Sequence, residues 1–367
     1  MIVVSIILLI LVMKLSESIV IKYGLQNYFV SIPFIGSVLM FIISAFFNDP
    51  LTFPLELERI MVTAFLFSIG MQMAPVLNRK YISRLVALII ICALLITLLN
   101  VLSYLFSGTD TWVFSSIMFA FNIELVSTFV SEDDLTRVSY WCSIQMLLVF
   151  FITPIFLLLS RQFYSKDNLQ DRYIGKKEKL HIPFTKESAY LLAITAMIVA
   201  AFKYDLFPHI PFVYDFVLGM FIGLCNGLLL LKKDMHLYKK KTEQYQKLGT
   251  ISLYGFIILN IYRSVMIDHT MFSLSILYLI VIKTVIIAIL SILIVHLCFK
   301  KWTFAEKMVA AVAGWTFMLN APVVCMHGMR TVVNRYGPSP YVLLVVPPVI
   351  LWLVNYVHLW LNLNLLQ

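Results

Sequence analysis

The stretch that decides the fold is Lys307-Met308-Val309-Ala310-Ala311-Val312-Ala313-Gly314-Trp315-Thr316-Phe317-Met318-Leu319-Asn320-Ala321-Pro322-Val323-Val324-Cys325-Met326-His327-Gly328-Met329. It is long enough to cross a bilayer, yet Asn320-Ala321-Pro322 interrupts it at the centre. Proline lacks the N–H a helix needs and disfavours helix at the residue before it, while asparagine bonds neighbouring backbone. Basic residues lie on both sides: Lys300, Lys301 and Lys307 before, Arg330 and Arg335 after. By the positive-inside rule both ends sit on one face, so 307–329 is expected to be a re-entrant hairpin.

The whole chain makes a membrane setting necessary. Of 367 residues, 61% are hydrophobic and 13% charged, and the mean hydropathy is +0.92. Soluble domains run at about 45–50% apolar and about 25% charged, which excludes a water-soluble globular enzyme. The net charge of +9 concentrates in short loops and reads as membrane anchoring, not nucleic-acid binding. Five separate cysteines form neither a disulfide framework nor a zinc motif. H-E-x-x-H and G-x-S-x-G are both absent, so no enzyme is expected.

Apolar runs near 20 residues fall at about 1–21, 28–47, 57–77, 82–107, 111–130 and 139–160, then at 188–204, 211–231, 249–267, 272–299, 307–329 and 341–363. Between the sets lies the polar stretch 161–187, an expected cytoplasmic linker. Ile32-Pro33-Phe34 and Ile210-Pro211-Phe212 open the second run of each set. The expected domains are therefore repeats 1–160 and 188–367. The loops around 111–130 carry Asp110 on one side and Glu132-Asp133-Asp134 on the other, with Arg137 the one basic residue. That run is expected to be a second hairpin, entering from the opposite face. The all-α fold expected is an inverted repeat, each half having five spans and one hairpin, with both termini outside the plasma membrane.

Hairpin tips meeting at mid-membrane define the binding region of such carriers. In 111–130 the polar interruptions are Asn122, Glu124, Ser127 and Thr128; in 307–329 they are Thr316 and Asn320. Glu124 reads in two ways: as a cation, proton or amine site, or as the partner of an intramembrane cation such as Lys283 or Arg263. Lys14 and Glu17 are expected to pair on one helix, and Asp215 to sit in a first helical turn.

The segment Arg335-Tyr336-Gly337-Pro338-Ser339-Pro340 with Leu343-Leu344-Val345-Val346-Pro347 resembles the C-terminal signature of the sodium/glutamate symporter family. Phe67-Ser68-Ile69-Gly70-Met71, Ala313-Gly314 and Pro322 are similar to further parts of that pattern. The resemblance implies a homodimeric carrier coupling sodium influx to uptake of an acidic amino acid or related small polar metabolite, with sodium its only ion. One departure is plain. The family's glycine-rich first hairpin is replaced by Phe121-Asn122-Ile123-Glu124-Leu125-Val126-Ser127-Thr128, and no glycine lies between Gly108 and Gly175. The alternative function is a carrier-derived scaffold in a cell-envelope pathway, without transport.

Overall fold

The structure is a computed structural model that describes residues 2–46, 53–76, 132–165, 180, 185–204, 215–266, 273–298, 300, 302–319 and 321–336. Outside these lie the expected hairpin 111–130, the runs 82–107 and 341–363, and most of the 161–187 linker. Among the described residues the fold is all-helical. The helices are α1 (Ile2–Lys22), α2 (Ile32–Ser44), α3 (Leu55–Met73), α4 (Glu132–Ser165), α5 (Lys186–Lys203), α6 (Asp215–Lys233), α7 (Met235–Val265), α8 (Leu274–Cys298), α9 (Phe304–Met318) and α10 (Pro322–Tyr336). Short 3₁₀ turns occupy Leu25–Tyr28 and Ala74–Val76.

Three of these helices carry stretches long and apolar enough to cross a membrane: Tyr140–Tyr164, Met235–Val265 and Ile276–Cys298. Their outward faces agree with lipid contact. Phe151, Ile155 and Leu159 on α4 are exposed at every fourth position, as are Val285, Ile289, Leu293 and Leu297 on α8. Apolar stripes of that length are not left to water. The protein is built as a helical membrane protein.

Two compact units emerge, and neither coincides with a sequence half. One joins residues 1–81 to 177–262; the other joins 82–176 to 263–367. In the first, α3 is the central helix, buried from Val62 almost without interruption to Met73. Its partner α6 carries Gly219, Gly223 and Gly227 at four-residue spacing. A Cβ at Gly223 would run into the Phe67 carbonyl oxygen, one at Gly219 into Thr63, and one at Gly70 into the Met220 backbone. Small residues let the two backbones touch, which is how helices associate where lipid offers no hydrophobic drive. Around this contact Ala64, Phe67 and Met71 join Leu191, Tyr245 and Leu248 in one cluster, with the Phe67 and Tyr245 rings edge-on at 5.7 Å.

Charges close the ends of this unit. Asp215 opens α6, as its sequence position suggests, and meets Arg59 of α3 at 3.3 Å. Lys203 meets Glu56 at 2.6 Å and holds that carboxyl below the usual carboxylate range. On α1, Lys14 pairs with Glu17 at 2.8 Å, and the pair grips the backbone of one residue: Glu17 accepts from the Leu180 N–H at 2.7 Å while Lys14 donates to the Leu180 carbonyl.

Two stretches taken as loops are helical. Glu132-Asp133-Asp134 forms the first turn of α4, where acidic residues suit the positive end of the helix dipole. Lys239 to Lys247, in the gap between the expected apolar runs 211–231 and 249–267, belong to α7 and not to a loop between spans. Asp234 caps that helix by accepting the His236 N–H at 2.8 Å, and Glu243 supports Lys247 one turn on at 2.8 Å; lysine, glutamate and glutamine are good helix formers.

The glycine contact is expected to be intolerant of a single methyl. Gly223→Ala should lower the thermal stability of the detergent-solubilised protein by about 1–3 kcal/mol, because the obstacle is backbone oxygen and not a movable side chain. Ser18→Ala on the exposed face of α1 should leave the melting curve where it was.

Candidate functional site

The second unit holds the interrupted segment. Thr303 begins it with a reciprocal cap: its hydroxyl accepts from the Glu306 N–H at 3.3 Å, and its own N–H donates to the Glu306 carboxylate at 2.9 Å. α9 then runs to Met318, the described residues Leu319 and Ala321 lie outside helix, and Pro322 starts α10 in the first helical position, where a missing N–H does no harm. Phe304 meets Tyr336 ring to ring at 4.9 Å, and a Cβ at Gly328 would meet Val312. Both pairs are symmetric about residue 320, so α9 and α10 are the antiparallel arms of a hairpin. Each arm has 15 residues and rises about 22 Å, short of the roughly 30 Å hydrocarbon core.

The hairpin is wider than 307–329. Arg330 and Arg335, read as a loop after it, lie in the last two turns of α10. Arg335 is buried there, its guanidinium 5.5 Å from the Tyr336 ring. A charge that packs on its own helix is not a loop marker.

Side chains from α4 and α8 grip the arms at backbone and ring. Trp315 stacks on Phe156 at 4.2 Å and donates its indole N–H to the Thr284 carbonyl at 3.2 Å. Ser291 donates to the Ala311 carbonyl at 2.6 Å. At the tip, Ala321 N–H returns to the Thr316 carbonyl at 2.9 Å, and the Gln145 side-chain amide donates to the Leu319 carbonyl. Gln145 is 2% exposed. Since its nitrogen must face the carbonyl, its Oε1 is fixed as an acceptor, and that oxygen has no hydrogen-bond partner among the described residues.

Of the six residues singled out from sequence, Thr316 alone is described. It lies fully buried three residues before the tip carbonyl, and its hydroxyl donates to Val312 at 2.6 Å and more weakly to Ala313. Its proton is therefore spent within α9. Asn122, Glu124, Ser127, Thr128 and Asn320 lie outside the described residues. Lys283 sits on α8 within electrostatic reach of the Cys142 thiol on α4. His327, buried on α10, has its ring 5.4 Å from that of Phe150. The residue the sequence reading passed over is Gln145. It is the one amide side chain in the apolar run 139–160, and that isolation was the available signal.

Comparison of the chain with protein-family models, with curated proteins and with solved structures gives no significant match.

The tip bond has a direct test. Gln145→Leu leaves the Leu319 carbonyl buried without a donor and should lower thermal stability by about 1–3 kcal/mol. Gln145→Glu, which at neutral pH sets oxygen against oxygen, should lower it further. Equal melting temperatures for wild type and both variants would show that the bond does not hold the tip.

Proposed function

We propose that the protein is a secondary active transporter that moves a small polar metabolite with sodium, an acidic amino acid being the first class to test. The reading rests on one observation: an enclosed antiparallel hairpin whose arms are too short to cross a bilayer and whose broken tip is held by a buried amide from a neighbouring helix. Non-helical backbone at membrane depth is tolerated where protein or a water-filled cavity satisfies it, and carriers place substrate there. The interleaving of the two halves is a second support, since each compact unit takes chain from both sides of the linker. On this reading the fold is an inverted repeat of two sets of five spans and one hairpin, in a plasma-membrane homodimer with both termini outside. Glu124, Asn122, Ser127 and Thr128 from the first hairpin would face Thr316, Asn320 and Gln145 around the substrate and its ion.

A scaffold without transport is the second reading, and one observation favours it. Gly328, one of two glycines left in the second hairpin, is used for close packing on Val312, not for open backbone at a ligand.

Counterflow in proteoliposomes separates the two. Labelled glutamate, aspartate and a panel of neutral amino acids and carboxylates are followed with and without a sodium gradient. Transport predicts sodium-dependent accumulation of at least one compound, reduced at least about tenfold by Glu124→Gln, the loss expected where one charged contact is removed. Absence of gradient-driven flux across the panel favours the scaffold.

A further inference from the structure

Lys232 and Lys233 end α6, Asp234 forms the corner, and Lys239, Lys240 and Lys241 follow in the first two turns of α7. Five lysines and one aspartate give this ten-residue corner a net charge of +4, with His236 neutral. The aspartate, already counted in that sum, turns its carboxylate to the amino end of α7, where it accepts the His236 N–H. Glu243, the next acid along, is taken by Lys247. Lys232, Lys233, Lys239 and Lys240 are all exposed.

The position of these charges identifies their partner. Leu228 and Leu229 are exposed on α6, Leu229 by 69%, and each lies four residues before a lysine. Four residues are one turn, so Lys232 and Lys233 continue the same face about 6 Å further along the axis. A face that passes from bare leucine to bare lysine within one turn matches the step from acyl chain to phosphate in a lipid leaflet. An acidic soluble protein would meet the lysines but leave the leucines uncovered. On α7, which runs antiparallel to α6 along α3, the exposed Lys239 and Lys240 lie one turn back from the corner. The corner is also held in place, because the Tyr238 hydroxyl donates to the Met71 carbonyl at the end of α3 at 2.9 Å. Little ordering remains to oppose binding.

We propose that the Lys232–Lys240 corner is a binding site for the phosphodiester headgroups of anionic phospholipids. It rests on the membrane setting of α6 and α7 and is independent of whether the protein transports.

The full-length protein is reconstituted in nanodiscs of phosphatidylcholine containing graded phosphatidylglycerol, and retained lipids are counted by native mass spectrometry. Wild type should retain phosphatidylglycerol over phosphatidylcholine, less so as ionic strength rises. The Lys232→Gln/Lys233→Gln/Lys239→Gln/Lys240→Gln variant should bind the anionic lipid at least about tenfold more weakly, with its hold on phosphatidylcholine unchanged. Lys247→Gln should behave as wild type. Circular dichroism confirms folding, and Lys239→Gln/Lys240→Gln, expected to lose several-fold, replaces the quadruple variant if that does not fold. Equal retention of phosphatidylglycerol by wild type and variant overturns the proposal. So does a wild type that does not distinguish the two lipids, or one that holds soluble polyglutamate as tightly as it holds phosphatidylglycerol.

Discussion

The Gln145 amide, reaching from α4 to the carbonyl of Leu319, answers a constraint that shapes the whole second unit. In lipid, backbone that leaves a helix carries polar groups which water is not there to satisfy. The helix α9 ends at Met318 and α10 begins at Pro322, and three polar groups between them find nearby partners: the Leu319 carbonyl in Gln145, the Ala321 N–H in the Thr316 carbonyl, and the Ala321 carbonyl in the Cys325 N–H. With the tip satisfied, the arms can lie side by side, and Gly328 against Val312 makes their approach close. Trp315 and Ser291 then tie the first arm to α8 through backbone carbonyls.

The first unit meets the same lack of hydrophobic drive between helices by different means. It brings backbones into contact along Gly219, Gly223 and Gly227, where dispersion and weak polar contacts accumulate over the length of two helices. Two of its ion pairs sit near helix ends: Asp215 with Arg59 and Glu56 with Lys203. Lys14 and Glu17 pair inside α1. There the two opposite charges bond the N–H and carbonyl of one residue, Leu180, so neither is left alone in an apolar environment.

What could be read in the sequence follows from which signals are local. The break at Asn320-Ala321-Pro322 was legible because proline and asparagine act on their own backbone. The Lys14–Glu17 pair and the first-turn place of Asp215 were legible for the same reason, being matters of helical spacing and helix ends. The basic run Lys239–Lys247 was misread because charge marks a face of the membrane but says nothing about whether the backbone is helical; capping by Asp234 decides that. Arg335 misled in the same manner. The Gly219-Gly223-Gly227 spacing stood in the sequence, yet only the position of α3 shows what it faces. Gln145 could be noticed as the one amide in its run, but its partner lies 174 residues away, a distance no periodicity spans.

The break also sets two opposite polarities side by side. α9 ends at Met318 and α10 begins at Pro322, so the carboxyl end of one helix, with its partial negative charge, lies three residues from the amino end of another, with its partial positive charge. On the negative side stand the free Oε1 of Gln145 and the lone pairs of Thr316, whose proton is committed within α9. These are acceptors, suited to a cation. On the positive side the first-turn N–H groups of α10 are donors, suited to an anion. Ten-residue polar tracts or a dedicated charged pocket are not required to bind an ion and an acidic solute together; a hairpin that turns at this point supplies both ends of the needed dipole from its own backbone. Glycine at the tip would let that backbone come closer, whereas here side chains from α4 and α9 supply the acceptors in its place. The proposed sodium-coupled carrier would therefore not require a glycine-rich tip, because the Gln145 oxygen would offer the acceptor that bare backbone otherwise supplies.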